Sequence, residues 1–175
     1  MAKRNLPIGI EFYKKVIDEA YFYVDKTLII KELLDRQSYV NLFTRPRRFG
    51  KTLALDMLKT FFEDEIDEKG NAVDNSRYFA DKKIMDAGNQ YIQHMGRYPV
   101  IYLSFKSSKQ ADWDTTFWMI KKQIAEEYIR HQYVLQTDDL LEVEKNLYRN
   151  IMSLSDDNKI YVDAISFPSK CLERY

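Results

Sequence analysis

YVNLFTRPRRFGKTLALDMLKTFF, residues 39–62, is the stretch whose reading decides the fold. Tyr39-Val40-Asn41-Leu42-Phe43 reads as a short buried strand, and TRPRRFGKT (44–52) as a loop. From Lys51 onward, Leu53, Leu55, Met57, Leu58, Phe61 and Phe62 recur at helical spacing among good helix formers. A strand, a loop ending Phe49-Gly50-Lys51-Thr52 and a helix opening at that point form the layout of a phosphate-binding loop. A helix N-terminus offers unpaired N–H groups and about half a positive charge to an anion. Gly50 lets the backbone pass close to a phosphate, Lys51 can reach the β and γ oxygens, and the Thr52 hydroxyl can ligate Mg²⁺. The pattern G-x-x-x-x-G-K-[ST] is incomplete, because Arg45 stands where the first glycine belongs and Pro46 lacks a donor. The N–H groups of Phe49 through Thr52 remain, and Arg45, Arg47 and Arg48 add charge beside them that can pair with phosphate. The competing reading is a basic loop that caps the helix by solvation.

Outward from this stretch the elements alternate. Upstream, Leu6-Pro7-Ile8-Gly9 is a turn, Phe12, Val16 and Ile17 fall at helical spacing, and Tyr21–Val24 is extended. Asp25 sits where an N-cap belongs, before Leu28, Ile29, Leu33 and Leu34 at helical spacing. Downstream, EDEIDEKGN (63–71) ends the helix as a solvated loop, and residues 76–95 predict one or two short helices. YPVIYLSF (98–105) is apolar enough for a strand buried on both faces, as parallel strands are. Trp118 to Tyr128 marks a long helix, and Thr137-Asp138 predicts the cap of another carrying Leu140, Leu141, Leu147 and Ile151 on its buried side. Strands separated by long helical stretches predict an α/β fold, a parallel sheet flanked by helices. No linker divides the chain, so residues 1–175 read as one domain portion.

Composition narrows the function classes. With 175 residues, 45% hydrophobic and 14% aromatic, the chain can bury a core, which excludes wholesale disorder. Lys+Arg 27 balances Asp+Glu 27, so any anion site is local and no global field draws the molecule to nucleic acid or anionic membrane. The single cysteine, Cys171, excludes an internal disulfide framework and a multi-cysteine zinc site, which predicts a reduced, cytoplasmic chain. The start lacks the apolar stretch of a signal peptide, and no run approaches the ~20 apolar residues of a membrane span.

LPIGIEFYKKVIDEAYFYVDKTLIIKELL, VNLFTRPRRFGKTLALDMLKTFFE and YPVIYLSFK together resemble the AAA-ATPase-like family of bacterial and archaeal proteins. Many members of that family carry a C-terminal domain resembling PD-(D/E)XK nucleases. The Arg-Pro-Arg-Arg start of the loop is the usual form there, so Arg45 is no defect relative to it. The resemblance implies ATP binding by Arg47, Arg48, Phe49, Gly50, Lys51 and Thr52, with Lys51 on the phosphates and Thr52 on Mg²⁺. Family members continue into a strand bearing the Walker B acids, and the resemblance places that strand after residue 175. This chain is therefore expected to be a partial P-loop NTPase truncated before Walker B, with no identifiable catalytic acid. The same truncation predicts an unpaired sheet edge, self-association and no turnover. A non-catalytic module whose basic loop binds a phosphate of protein or nucleic acid is the alternative.

Other side chains read more plainly. Asp163, after Ile160-Tyr161-Val162, is taken as an N-cap of the last helix rather than a magnesium ligand, which puts Pro168 in that helix's second turn. His94 and His131 have no ligand spacing and read as surface or interfacial residues. Cys171 reads as a structural thiol, Trp113 and Trp118 as packing residues, and Lys121-Lys122 as a solvated helix face.

Overall fold

The computed structural model describes residues 5–44, 46, 49–67 and 69–175, which fall into two compact units, Met1–Val100 and Ile101–Tyr175. Unit one holds α1 (Tyr13–Asp18), α2 (Leu28–Arg36), α3 (Lys51–Phe62) and the short α4 (Asn89–Ile92). Its core gathers Tyr13, Ile30, Met57, Phe61, Phe79 and Ile84, all fully buried. On α3 the buried residues are Met57, Leu58, Thr60 and Phe61, and the helix ends at Glu63, whose backbone is extended. The last carbonyls of α3 are satisfied from a segment well downstream. Gly96 N donates to Phe61 O (2.8 Å), and the N–H groups of Arg97 and Tyr98 donate to Phe62 O at 3.0 and 2.9 Å.

Unit two holds α5 (Trp113–Arg130), α6 (Glu142–Met152) and α7 (Ser166–Glu173). Asp112 caps α5 by accepting from Thr115 N at 2.8 Å, and α6 is opened by Glu144, whose carboxylate accepts from Leu141 N at 2.9 Å. The cap of α6 therefore lies at Leu141 rather than Thr137-Asp138. Two buried tyrosines tie α5 to α6 and to the segment just before α7: Tyr148 OH donates to Tyr128 O (3.0 Å) and Tyr128 OH donates to Ala164 O (2.9 Å). Both hydroxyls keep a partner inside the core, which removes the cost of burying them.

The parallel-sheet α/β architecture expected from the sequence is not what the chain forms. Among the described residues there is no sheet, and just two isolated bridges occur, Glu63 with Tyr98 (parallel) and Ile66 with Ala72 (antiparallel). Residues 39–44 and 101–104 carry no regular structure and pair with no ladder. The physical reason is that alternation and β-branching supply a face, whereas a strand exists through its neighbour's N–H and C=O groups. Without that neighbour, Tyr39, Val40 and Leu42 are 107%, 85% and 85% exposed.

Smaller expectations also shift. Glu63 and Glu65 of the acidic stretch are not solvated: Glu63 is 3% exposed, and Glu65 accepts from Asn75 Nδ2 and pairs with Lys14. Residues 160–163 lie in and after a 3-10 turn (Asn158–Tyr161), and it is the Asp163 backbone carbonyl, not its carboxylate, that accepts from Ser166 N and Phe167 N. Because α7 begins at Ser166, Pro168 falls in its first turn, where no intrahelical bond is lost. Trp113 and Trp118 are 69% and 50% exposed, and Trp113 packs by stacking on Phe117 at a centroid distance of 5.7 Å. Lys121 is 8% exposed, donates to Asn158 Oδ1 at 3.0 Å and lies 4.6 Å from the Tyr161 ring centroid; it belongs to no solvated face. His131 is buried at the end of α5 against Tyr133 OH (2.8 Å). Cys171 is buried, and desolvation pushes its thiol up to about 11, consistent with an inert structural role.

Candidate nucleotide-phosphate site

The candidate site is built on the first turn of α3. Gly50 is its N-cap and adopts a left-handed conformation (φ +69°, ψ 30°) that a side-chain-bearing residue takes only with strain. Among the described residues a Cβ at this position would meet nothing within 4 Å, so the demand for glycine is conformational. The Gly50 carbonyl accepts from Ala54 N at 2.9 Å, which sets α3 going at Lys51. Helix geometry leaves the first-turn N–H groups without intrahelical acceptors, and Gly50 as N-cap has no side chain to cap them.

The electrostatics of this end differ from those of α5 and α6. The first turn of α5 contains Asp114 and that of α6 contains Glu142 and Glu144, as stable helices prefer. The first turn of α3 contains no acid and opens with a lysine. A cation there opposes the helix dipole, an arrangement that costs a few tenths to about 1 kcal/mol in isolation and suits an anion. Lys51 is exposed and runs along a small apolar cleft formed by Phe43, Ala54, Leu55 and Leu58. Thr52 is half-buried. One turn on, the Asp56 carboxylate accepts from Tyr13 N at 2.6 Å and so fastens α3 to the start of α1; burial pushes its carboxyl above the ordinary range. Arg45, Arg47 and Arg48 lie outside the described residues.

Beside the Gly50 turn lies an open depression of about 320 Å³. Phe49, Gly50, Leu53 and Ala54 form one side, and Phe22, Val24 and Lys26 face them from the extended segment before α2. Phe22 and Val24 are 50% and 59% exposed, and Phe49 is 61% exposed, so an apolar, partly aromatic surface is presented next to the helix N-terminus. Sequence reasoning identified Tyr21–Val24 as extended but not as a wall of this site. The usable signal was the two-residue alternation of apolar Phe22 and Val24 ahead of a helix start.

No cluster of three or more His, Cys, Asp or Glu side chains that could hold a metal occurs among the described residues. A divalent cation at this site would find in Thr52 one neutral hydroxyl, which fits a metal carried chiefly by phosphate oxygens.

The sequence pattern of the family described as "Predicted AAA-ATPase" matches residues 7–166, most of the chain. The chain belongs to this AAA-ATPase-like family. Its match includes both sides of the depression and the whole of α3. In addition, 63 residues are 43% identical to a protein of Azotobacter chroococcum mcd 1 described as "Uncharacterized protein in vnfD 5'region". That stretch is 35% of this chain and 12% of the Azotobacter protein, so the chain spans a small part of its relative's length. No solved structure matches. No helix among the described residues is long and apolar enough to cross a membrane.

Proposed function

We propose that the first turn of α3 binds the phosphates of ATP, as the ATP-binding part of an ATPase. The observation that carries this reading is the acid-free, glycine-capped N-terminus of α3, opened by Lys51 beside an apolar depression. In this assignment the N–H groups of Phe49 to Thr52 line the phosphates, and Lys51 neutralises the β and γ oxygens. Thr52 supplies one oxygen to Mg²⁺, whose remaining ligands come from the nucleotide and water. Arg47 and Arg48 add guanidinium contacts to the outer phosphate. The base and ribose lie toward Phe22, Val24 and Phe49, where apolar surface is already exposed and its burial is favourable. Family membership supports nucleotide use. For the whole protein the corresponding reaction is ATP hydrolysis, achieved by positioning and charge stabilisation of the transferring phosphoryl group. No residue of this chain is assigned as its acid or base.

The second reading, a basic loop that binds a phosphate on protein or nucleic acid, makes no use of the depression. The part of the two arginines is tested by the Arg47→Ala/Arg48→Ala double variant. ATP binding should fall, because each lost charge-assisted hydrogen bond is worth about 1.5–3 kcal/mol, while adenosine, which has no phosphate, should bind as before. Equal loss of both ligands in a calorimetric titration would refute the phosphate assignment of these arginines.

A further inference from the structure

The segment Tyr21–Lys26 borders two depressions. Phe22, Val24 and Lys26 line the one beside the Gly50 turn, Tyr21 and Asp25 line the one that holds Asp81 and Lys82, and Tyr23 lines both. The segment belongs to no ladder, and its N-terminal end is held by two backbone bonds, from Tyr21 N to Val16 O (3.0 Å) and from Phe22 N to Asn5 O (2.8 Å). What fastens its C-terminal end is a cluster of hydrogen bonds on the side away from the site. Asp25 Oδ1 accepts from Thr27 N (2.8 Å) and from Thr27 Oγ1 (2.7 Å). Asp25 Oδ2 accepts from Lys83 N (2.8 Å), and Thr27 Oγ1 accepts from Ile84 N (3.2 Å). Thr27 and Ile84 are fully buried, so the Ile84 N–H would lose its partner outright without the Thr27 hydroxyl. Two side chains thereby clip the segment to the turn Lys83–Asp86, itself in the core of unit one through Ile84.

Neither Asp25 nor Thr27 lines the depression beside Gly50. We propose that Asp25 and Thr27 are positioning residues, which set nucleotide affinity by holding Phe22, Val24 and Lys26 against the base and ribose without touching the ligand. This rests on the phosphate assignment of α3. It gives the Asp25-Lys26-Thr27 sequence a role distinct from starting α2: the two outer residues hold, and the middle one faces the site. Loosening the clip costs the contacts that a base and ribose make with the wall and spares those that phosphates make with the Gly50 turn.

The test compares ATP with pyrophosphate, which carries phosphates alone, in calorimetric titrations of the whole 175-residue chain with Mg²⁺ present. In the wild type, ATP should bind tighter than pyrophosphate. Thr27→Val keeps the shape and removes the hydroxyl; it should weaken ATP about 10-fold, one lost hydrogen bond's worth, and change pyrophosphate less than about twofold. Thr27→Ser restores the hydroxyl and should recover most of the ATP affinity. If Thr27→Val loses its helical circular dichroism, Asp25→Asn carries the same comparison, because its amide retains one acceptor oxygen. Unchanged ATP affinity in the folded variants, or parallel loss of ATP and pyrophosphate, overturns the inference and leaves the phosphate site standing. A wild type that binds pyrophosphate as tightly as ATP overturns it too, since the wall then contributes nothing. A wild type that binds neither removes the phosphate assignment itself and the inference with it.

Discussion

Replacing Lys51 by alanine should weaken ATP binding by about 10- to 100-fold, corresponding to the ~1.5–3 kcal/mol of a hydrogen bond to a charged group. The lysine is exposed at the start of α3, so its removal spares the core. Denaturation midpoints of the variant should accordingly stay within about 0.5 kcal/mol of wild type, as for an ordinary surface substitution. Adenosine affinity should be unaffected. The combination of an intact fold, intact adenosine binding and lost ATP binding belongs to a phosphate ligand. If ATP affinity stays unchanged in Lys51→Ala, the assignment of α3 is wrong.

Phe61→Ala should be among the most damaging single changes in unit one, costing about 3–5 kcal/mol. Phe61 is fully buried on α3 and meets Phe79 edge-on at a centroid distance of 5.2 Å and Phe62 at 5.1 Å. Its truncation leaves a cavity between α3 and the segment around residue 79, and α3 carries the Gly50 turn at its other end. A small domain has roughly 5–15 kcal/mol in all, so a loss of this size should move the urea midpoint far toward zero. Phe61→Leu keeps most of the volume and should lose far less. A Phe61→Ala loss below about 1 kcal/mol would mean that the surrounding rings close over the gap, and that this core is not packed as described.

The helical part of the fold was legible because its signals are local. The apolar spacing from Leu53 to Phe62 and the glycine at position 50 give α3 its bounds without reference to anything distant. Asp25 announces α2 for the same reason, although the cap position falls at Thr27, whose N–H donates to the Asp25 carboxylate. The lack of a sheet among the described residues was not legible. Residues 39–43 and 98–105 have strand composition, but pairing is a property of two segments, and a sequence read one segment at a time does not show it. Buried charge failed in a similar way. Glu63 and Lys121 look solvated by type, yet the first is held at the end of α3 and the second lies between the Phe117 and Tyr161 rings. Of the site, Gly50 to Thr52 could be named from the motif, whereas Phe22, Val24 and Lys26 could not, because their place beside Gly50 is a matter of contacts distant in sequence, which no single segment displays.

The proposed role of the α3 turn is that of a nucleotide site and not of a general basic patch. ATP binding by the wild-type chain, titrated with and without Mg²⁺ at low and high salt, tests it most directly. A nucleotide site should bind Mg-ATP more tightly than free ATP and lose little affinity with salt, since part of its binding comes from helix N–H groups and the apolar depression. Affinity that ignores Mg²⁺ and falls steeply with salt, as counterion release dictates for a charged patch, would contradict it.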